Sequence, residues 1–218
     1  MMGGRVLTLL LGVGFLASCV LWLPKAASNP LPGQHTGFSP VQPIAYSHKL
    51  HAGELGIGCT YCHWAADKSR HAGIPAASIC MNCHRSVTAT VAARKTETQA
   101  AEREGRALKP VASAEIKKIY DHLGLGPDME PDPAIQPQPI RWKRVYEVAD
   151  FVYFDHRTHV GAGVRCQHCH GDVETMDQVK QVGSLSMGWC VACHREATEH
   201  GINGQAVNAR VECTTCHR

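Results

Sequence analysis

Phe154-Asp155-His156-Arg157-Thr158-His159-Val160-Gly161 leads, after four residues, into Cys166-Gln167-His168-Cys169-His170, and Cys190-Val191-Ala192-Cys193-His194 follows. The same order occurs once before. There Tyr46-Ser47-His48-Lys49-Leu50-His51-Ala52-Gly53 precedes Cys59-Thr60-Tyr61-Cys62-His63 and then Cys80-Met81-Asn82-Cys83-His84. From first histidine to first cysteine the offset is 10 residues in the later copy and 11 in the earlier. A unit of one aromatic residue, a His-x-x-His pair and two Cys-x-x-Cys-His motifs is therefore duplicated, and a fifth motif, Cys213/Cys216/His217, is appended.

Cys-x-x-Cys-His is the signature of c-type haem attachment. Two cysteines three apart add across the two vinyl groups of one porphyrin, and the adjacent histidine lies under the iron, so residue types and spacing are both set by the cofactor. Five motifs predict five haem c groups, held by the proximal histidines His63, His84, His170, His194 and His217. Pair separations of 17 residues (Cys62 to Cys80), 20 (Cys169 to Cys190) and 19 (Cys193 to Cys213) also fit a zinc ribbon. A ribbon, however, has no use for a histidine after every second cysteine, and an odd number of pairs leaves one without a partner. Disulfide knuckles would not need the histidines either. Ten of the eleven cysteines fall inside the motifs, and only Cys19 is left over.

The His-x-x-His pairs have a chemical reason of their own. One turn puts residues i and i+3 on one side, so a single element offers distal ligands to two neighbouring haems. His48 is expected to complete the haem at Cys59/Cys62 and His51 the one at Cys80/Cys83; by the repeat, His156 and His159 serve the third and fourth. For the fifth haem the candidates are His71 and Met187, methionine being the ligand that would raise its potential. His35, His122, His168 and His200 read as solvent-exposed.

Five haems in 218 residues leave about 44 residues per cofactor, too few for a conventional large core. Aromatic residues are 6%, with 20 glycines and 12 prolines. The expected fold is mostly irregular with short α-helices, several beginning at a motif, and little β structure. The haem-binding modules are 44–86 and 141–218, the second with three haems. The linker 87–140 is charged and alanine-rich over Thr96–Lys118 and proline-rich over Asp128–Pro139. Ser113 is expected to cap a helix through Leu123, with Gly124 stopping it. The basic cluster Arg141-Trp142-Lys143-Arg144 stands before the second module. The formal charge of +3 is offset by the ~10 propionates of five haems, and nothing indicates nucleic acid. No catalytic triad, nucleotide-binding loop or acid/base pair is present, so the chain reads as an electron carrier rather than an enzyme.

Val6 to Leu23 is an uncharged apolar run of 18 residues, preceded by Arg5 and followed by Pro24-Lys25. It is just long enough to span a bilayer, and residues 1–25 are read as a membrane anchor. Leu16-Ala17-Ser18-Cys19 resembles a lipobox, so lipidation of Cys19 is an alternative, as is simple cleavage. Each places the haem-bearing part on the outer, periplasmic face of the inner membrane. The stretch 26–43, with four prolines, reads as an extended spacer.

The strings Pro43 to Gly53, His71 to His84, Asp150 to His156 and Met187-Gly188-Trp189-Cys190 resemble the pentahaem membrane-anchored cytochrome c subunit of alternative complex III. The likeness covers residues 41–85 and 140–195. Each half is also similar to the small cytochrome c3/c7 class, in which the first histidine of the aromatic-x-His-x-x-His string ligates the following haem; this supports His48 and His156. The resemblance implies an electron relay from a quinol-oxidising complex. Its implied partners are a polytopic quinol-binding membrane subunit, an iron–sulfur subunit and a monohaem cytochrome c or terminal oxidase. Two rivals have similar motifs: an anchored quinol dehydrogenase of the tetrahaem type that oxidises quinol itself, and a multihaem enzyme reducing a small molecule at a five-coordinate haem.

Overall fold

The computed structural model of the chain describes residues 10–21 and 35–217. Residues 10–21 form a helix, α1, whose apolar side chains such as Phe15 and Leu21 are exposed. Among the described residues no helix is long and apolar enough to cross a membrane. The ends of the run Val6 to Leu23, and the first half of the expected spacer, lie outside the described residues.

Three motifs are single helical turns: α2 (Cys59–Cys62), α7 (Cys166–His170) and α9 (Cys213–Cys216). Each begins at its first cysteine behind an extended residue, Gly58, Arg165 or Glu212, so the two thiols of a pair leave from one side of one turn. The other two motifs lie inside longer helices, α3 (Ala77–His84) and α8 (Met187–His200), and α8 is capped by Ser186 accepting from Trp189 N. Between the modules run α4 (Val91–Glu104) and α5 (Ala114–Leu123). Helix α5 has the boundaries expected from sequence: the Ser113 hydroxyl accepts from Ile116 N at 3.3 Å, and Gly124 at φ 72° closes the helix in the left-handed region. Helix α6 (His156–Gly161) carries the second His-x-x-His pair, whereas the first lies on a π-helical turn, Lys49–Glu54, with His48 at its N-cap. Among the described residues β structure is confined to isolated bridges, such as Val152 with His217.

The apolar interior is small. Among the described residues eight hydrophobic side chains are buried, and four of these are alanines. Ile44, Met81, Ile119 and Tyr120 form one cluster, with Cys80, Ile116, Leu123, Ile140 and Trp142 packed around it. The segment expected to be a linker therefore supplies much of the packing on α3. Tyr120 Oη donates to His84 O at 3.0 Å, and the proline-rich strap lies back on α5 through Gln138 N to His122 O at 3.0 Å.

The modules interlock. The π-helical turn packs against the 3-10 turn Val173–Thr175, so closely that a Cβ on Gly53 would collide with the Glu174 carbonyl. Lys49 N donates to Met176 O at 2.9 Å, and Ser47 Oγ to Asp177 Oδ1 at 2.7 Å. The described part of the expected spacer is tied down as well: Gly37 N donates to Gln181 O at 2.8 Å, Gln181 N to Phe38 O at 2.9 Å, and Gln42 and Lys143 exchange hydrogen bonds of 2.9 and 3.0 Å.

Candidate functional site

The duplication seen in the sequence is reproduced in ring geometry. Tyr46 meets His48 edge-on with centroids 4.8 Å apart and stacks on His51 at 4.4 Å. Phe154 meets His156 edge-on at 4.8 Å and lies over His159 at 4.6 Å. The aromatic residue is thus a common wall that fixes both imidazoles of each pair.

Each of three pair histidines faces the histidine of a motif. His51 lies 6.1 Å from His84, His156 lies 6.4 Å from His170 with planes 10° apart, and His159 lies 6.0 Å from His194, all between ring centroids. Two imidazoles bound on opposite sides of one metal ion, with metal–nitrogen bonds of about 2 Å, have centroids roughly 6 Å apart. His48 and His63 interact electrostatically, the neighbourhood expected of the first pair. These are the pairings the sequence assigned to the first four motifs.

Hydrogen bonding sets the ring tautomers. Nδ1 of His51 donates to Ser47 O (2.9 Å), of His63 to Gly73 O (2.7 Å), of His84 to Val87 O (2.7 Å), of His156 to Arg70 O (2.9 Å), of His159 to Asp155 O (2.8 Å) and of His194 to Arg210 O (2.6 Å). A carbonyl oxygen only accepts, so Nδ1 carries a proton and Nε2 is the nitrogen left to face a metal, the arrangement of a metal-bound histidine. At three histidines burial favours the neutral form. Desolvation pulls the pKa values of His48 and His170 down to about 4, and lowers that of His159. It also pushes Cys169 up to about 11 and Tyr46 to about 12.

The fifth motif is arranged differently. His217 is stacked on Phe151 at 5.7 Å, and among the described residues no second imidazole makes a ring contact with it. Met187 opens α8 with 72% of its surface exposed, and His71 is exposed beside Arg70; among the described residues neither stacks on or hydrogen-bonds to the His217 ring. His122 and His200 bond to nearby carbonyls, while His168 Nε2 lies 3.6 Å from Cys193 Sγ. That last contact joins the third motif to the fourth and could have been suspected from the unusual histidine inside Cys-Gln-His-Cys.

Haem fits these residues. The imidazoles are paired at the right spacing and in the right tautomer, the thiols leave single turns, and large apolar side chains beside the motifs, Tyr61, Trp64, Phe151 and Met187, are exposed. Zinc fits less well, since among the described residues no three His, Cys, Asp or Glu side chains converge on a metal site. All eleven cysteines are free of disulfides.

Residues 152–218 match the sequence model of a family described as cytochrome c7 and related cytochrome c. The chain is also 22% identical, over 81% of its length and 77% of the relative's, to the multihaem cytochrome c subunit of menaquinone reductase from Nitratidesulfovibrio vulgaris. With the motif geometry, these likenesses make the chain a multihaem electron-transfer cytochrome c.

Proposed function

We propose that the chain carries five haems and relays electrons between a quinol-oxidising membrane complex of the alternative complex III type and a periplasmic cytochrome c or terminal oxidase. The observation that carries this reading is the set of histidine pairs 6.0–6.4 Å apart, each joining a His-x-x-His residue to a motif histidine. At these three sites both axial positions would be filled by protein, which leaves no place for a substrate there and supports a wire rather than a quinol-oxidising centre. Bound haem would supply the one-electron ferric/ferrous chemistry. The chain's own residues attach it through Cys59/Cys62, Cys80/Cys83, Cys166/Cys169, Cys190/Cys193 and Cys213/Cys216. They orient the axial imidazoles through the carbonyl bonds on Nδ1 and exclude water around them. The apolar run at Val6 to Leu23 would anchor it to the inner membrane, with the haem part outside and the quinol-binding, iron–sulfur and monohaem subunits beside it.

The test is pyridine haemochrome quantitation with redox titration, followed by carbon monoxide addition to the reduced protein. Five low-spin haems without a carbon monoxide shift are expected. A shifted haem points to an open iron and to direct quinol or small-molecule chemistry, and a count below five removes the pentahaem reading. A second reading follows from the relative's name: a subunit of a menaquinone reductase implies electrons running into the quinone. Assaying the purified complex in both directions with quinol and quinone decides between them.

A further inference from the structure

We infer that the haem sites are strung in space in the order second, first, third, fourth, fifth motif, so that the two modules join through the first and third sites and not through the consecutive second and third. This deepens the pentahaem reading and rests on it.

Each junction is built by named residues. The second site joins the first through the turn that carries both His48 and His51, and through Asn82 Nδ2 donating to Tyr61 Oη at 3.0 Å, the two residues lying inside their respective Cys-x-x-Cys pairs. The first joins the third by several independent contacts. Arg70 O, in the loop after the first motif, accepts from both His156 N (3.1 Å) and His156 Nδ1 (2.9 Å), and Arg157 N donates to Ser69 O at 3.2 Å. The π-helical turn meets residues 173–176, directly after the third motif. Third and fourth share α6 and meet again at the His168–Cys193 contact. Fourth and fifth are tied by His194 Nδ1 to Arg210 O at 2.6 Å and by Thr198 Oγ1 bonded to both Ala209 N (3.1 Å) and Ala209 O (3.2 Å), just before the fifth motif.

The second motif faces the other way. Its helix α3 packs on α5, and its His84 carbonyl is capped by Tyr120. Among the described residues no main-chain hydrogen bond links residues 77–87 to residues 144–217. The ends of the array, where partners would exchange electrons, are therefore the second and fifth sites.

The experiment is nuclear Overhauser spectroscopy on the full-length, fully reduced protein, with each haem assigned by cross-peaks to its own motif residues and the haem count measured on the same sample. Cross-peaks between the first and third haems, with none between second and third, are the expected result. Second–third cross-peaks, first–third silence, or a fifth haem contacting the first or third but not the fourth overturn the order alone, and a haem count below five overturns the order and the pentahaem reading together. In Gly53→Ala, the added methyl pushes the π-helical turn off Glu174, so the first–third cross-peaks should weaken several-fold while first–second and third–fourth persist. First–third cross-peaks of unchanged intensity in that variant overturn the assignment of the junction to this turn.

Discussion

His156 and His48 occupy equivalent places in the two copies, edge-on to Phe154 and Tyr46, yet their Nδ1 atoms fare differently. His156 Nδ1 reaches Arg70 O across the module boundary, whereas His48 Nδ1 is buried without a partner. An unsatisfied buried donor costs about 1–3 kcal/mol, so the first site is the less firmly fixed of the two. The paired imidazoles make a direct prediction. Replacing His159 by Ala removes the ring opposite His194 and leaves the proximal side intact, so one haem more than in the unsubstituted protein should bind carbon monoxide in the reduced state. An unchanged carbon monoxide difference spectrum would show that His159 is not an axial ligand. At this scale the sequence was highly informative, because the repeat copies aromatic, histidine and cysteine positions together. It did not reveal the Nδ1 partners, which are main-chain carbonyls such as Gly73 and Arg210, since a carbonyl leaves no trace in residue identity.

Helix α5 shows what is legible in an element and what is not. Ser113 and Gly124 mark its ends because capping is local chemistry, but its packing on α3 depends on Ile119 and Tyr120 finding Ile44 and Met81, far away in sequence. Tyr120→Phe removes one hydrogen bond to His84 O and should cost about 1 kcal/mol in denaturant unfolding. Ile119→Ala should cost more, roughly 2–4 kcal/mol, by leaving a cavity. Equal and negligible effects would mean that α5 is only a linker. Helix α4 begins at Val91, ahead of the charged, alanine-rich stretch from Thr96, because Thr90 caps it by accepting from Ala93 N at 3.2 Å. After Gly105 the chain turns back, and Arg106 with Lys109 N clasps Glu97, whose carboxyl is held down to about 2, chiefly by the Arg106 hydrogen bond. A carboxylate with a depressed folded-state pKa stabilises above its unfolded value of about 4.3 and loses that contribution as pH falls toward the folded value. Hydrogen exchange in α4 should therefore quicken, relative to intrinsic rates, between about pH 4 and pH 2. Glu97→Gln should abolish this step, and a step that persists would assign it to another group.

For the whole molecule the deciding quantity is how little apolar surface the polypeptide buries by itself. Among the described residues the large buried side chains are Ile44, Met81, Ile119 and Tyr120, few for a chain whose backbone must be ordered from 35 to 217, and the exposed Tyr61, Trp64, Phe151 and Met187 beside the motifs mark where further apolar contact would form. The composition of short helices, glycines and few aromatics pointed to this balance before any contact was known. The order of the motifs in space was not readable, because it depends on a turn at Gly53 meeting a carbonyl at Glu174. The consequence is that the attached haems hold the fold. Protein produced without haem attachment, with its thiols kept reduced, should show weak helical circular dichroism and no cooperative thermal transition, whereas the haem-loaded chain should melt cooperatively. A cooperative transition in the haem-free chain would mean that the cluster around Tyr120 and the interlocked turns suffice on their own, and would make the haems passengers in a protein scaffold rather than its interior.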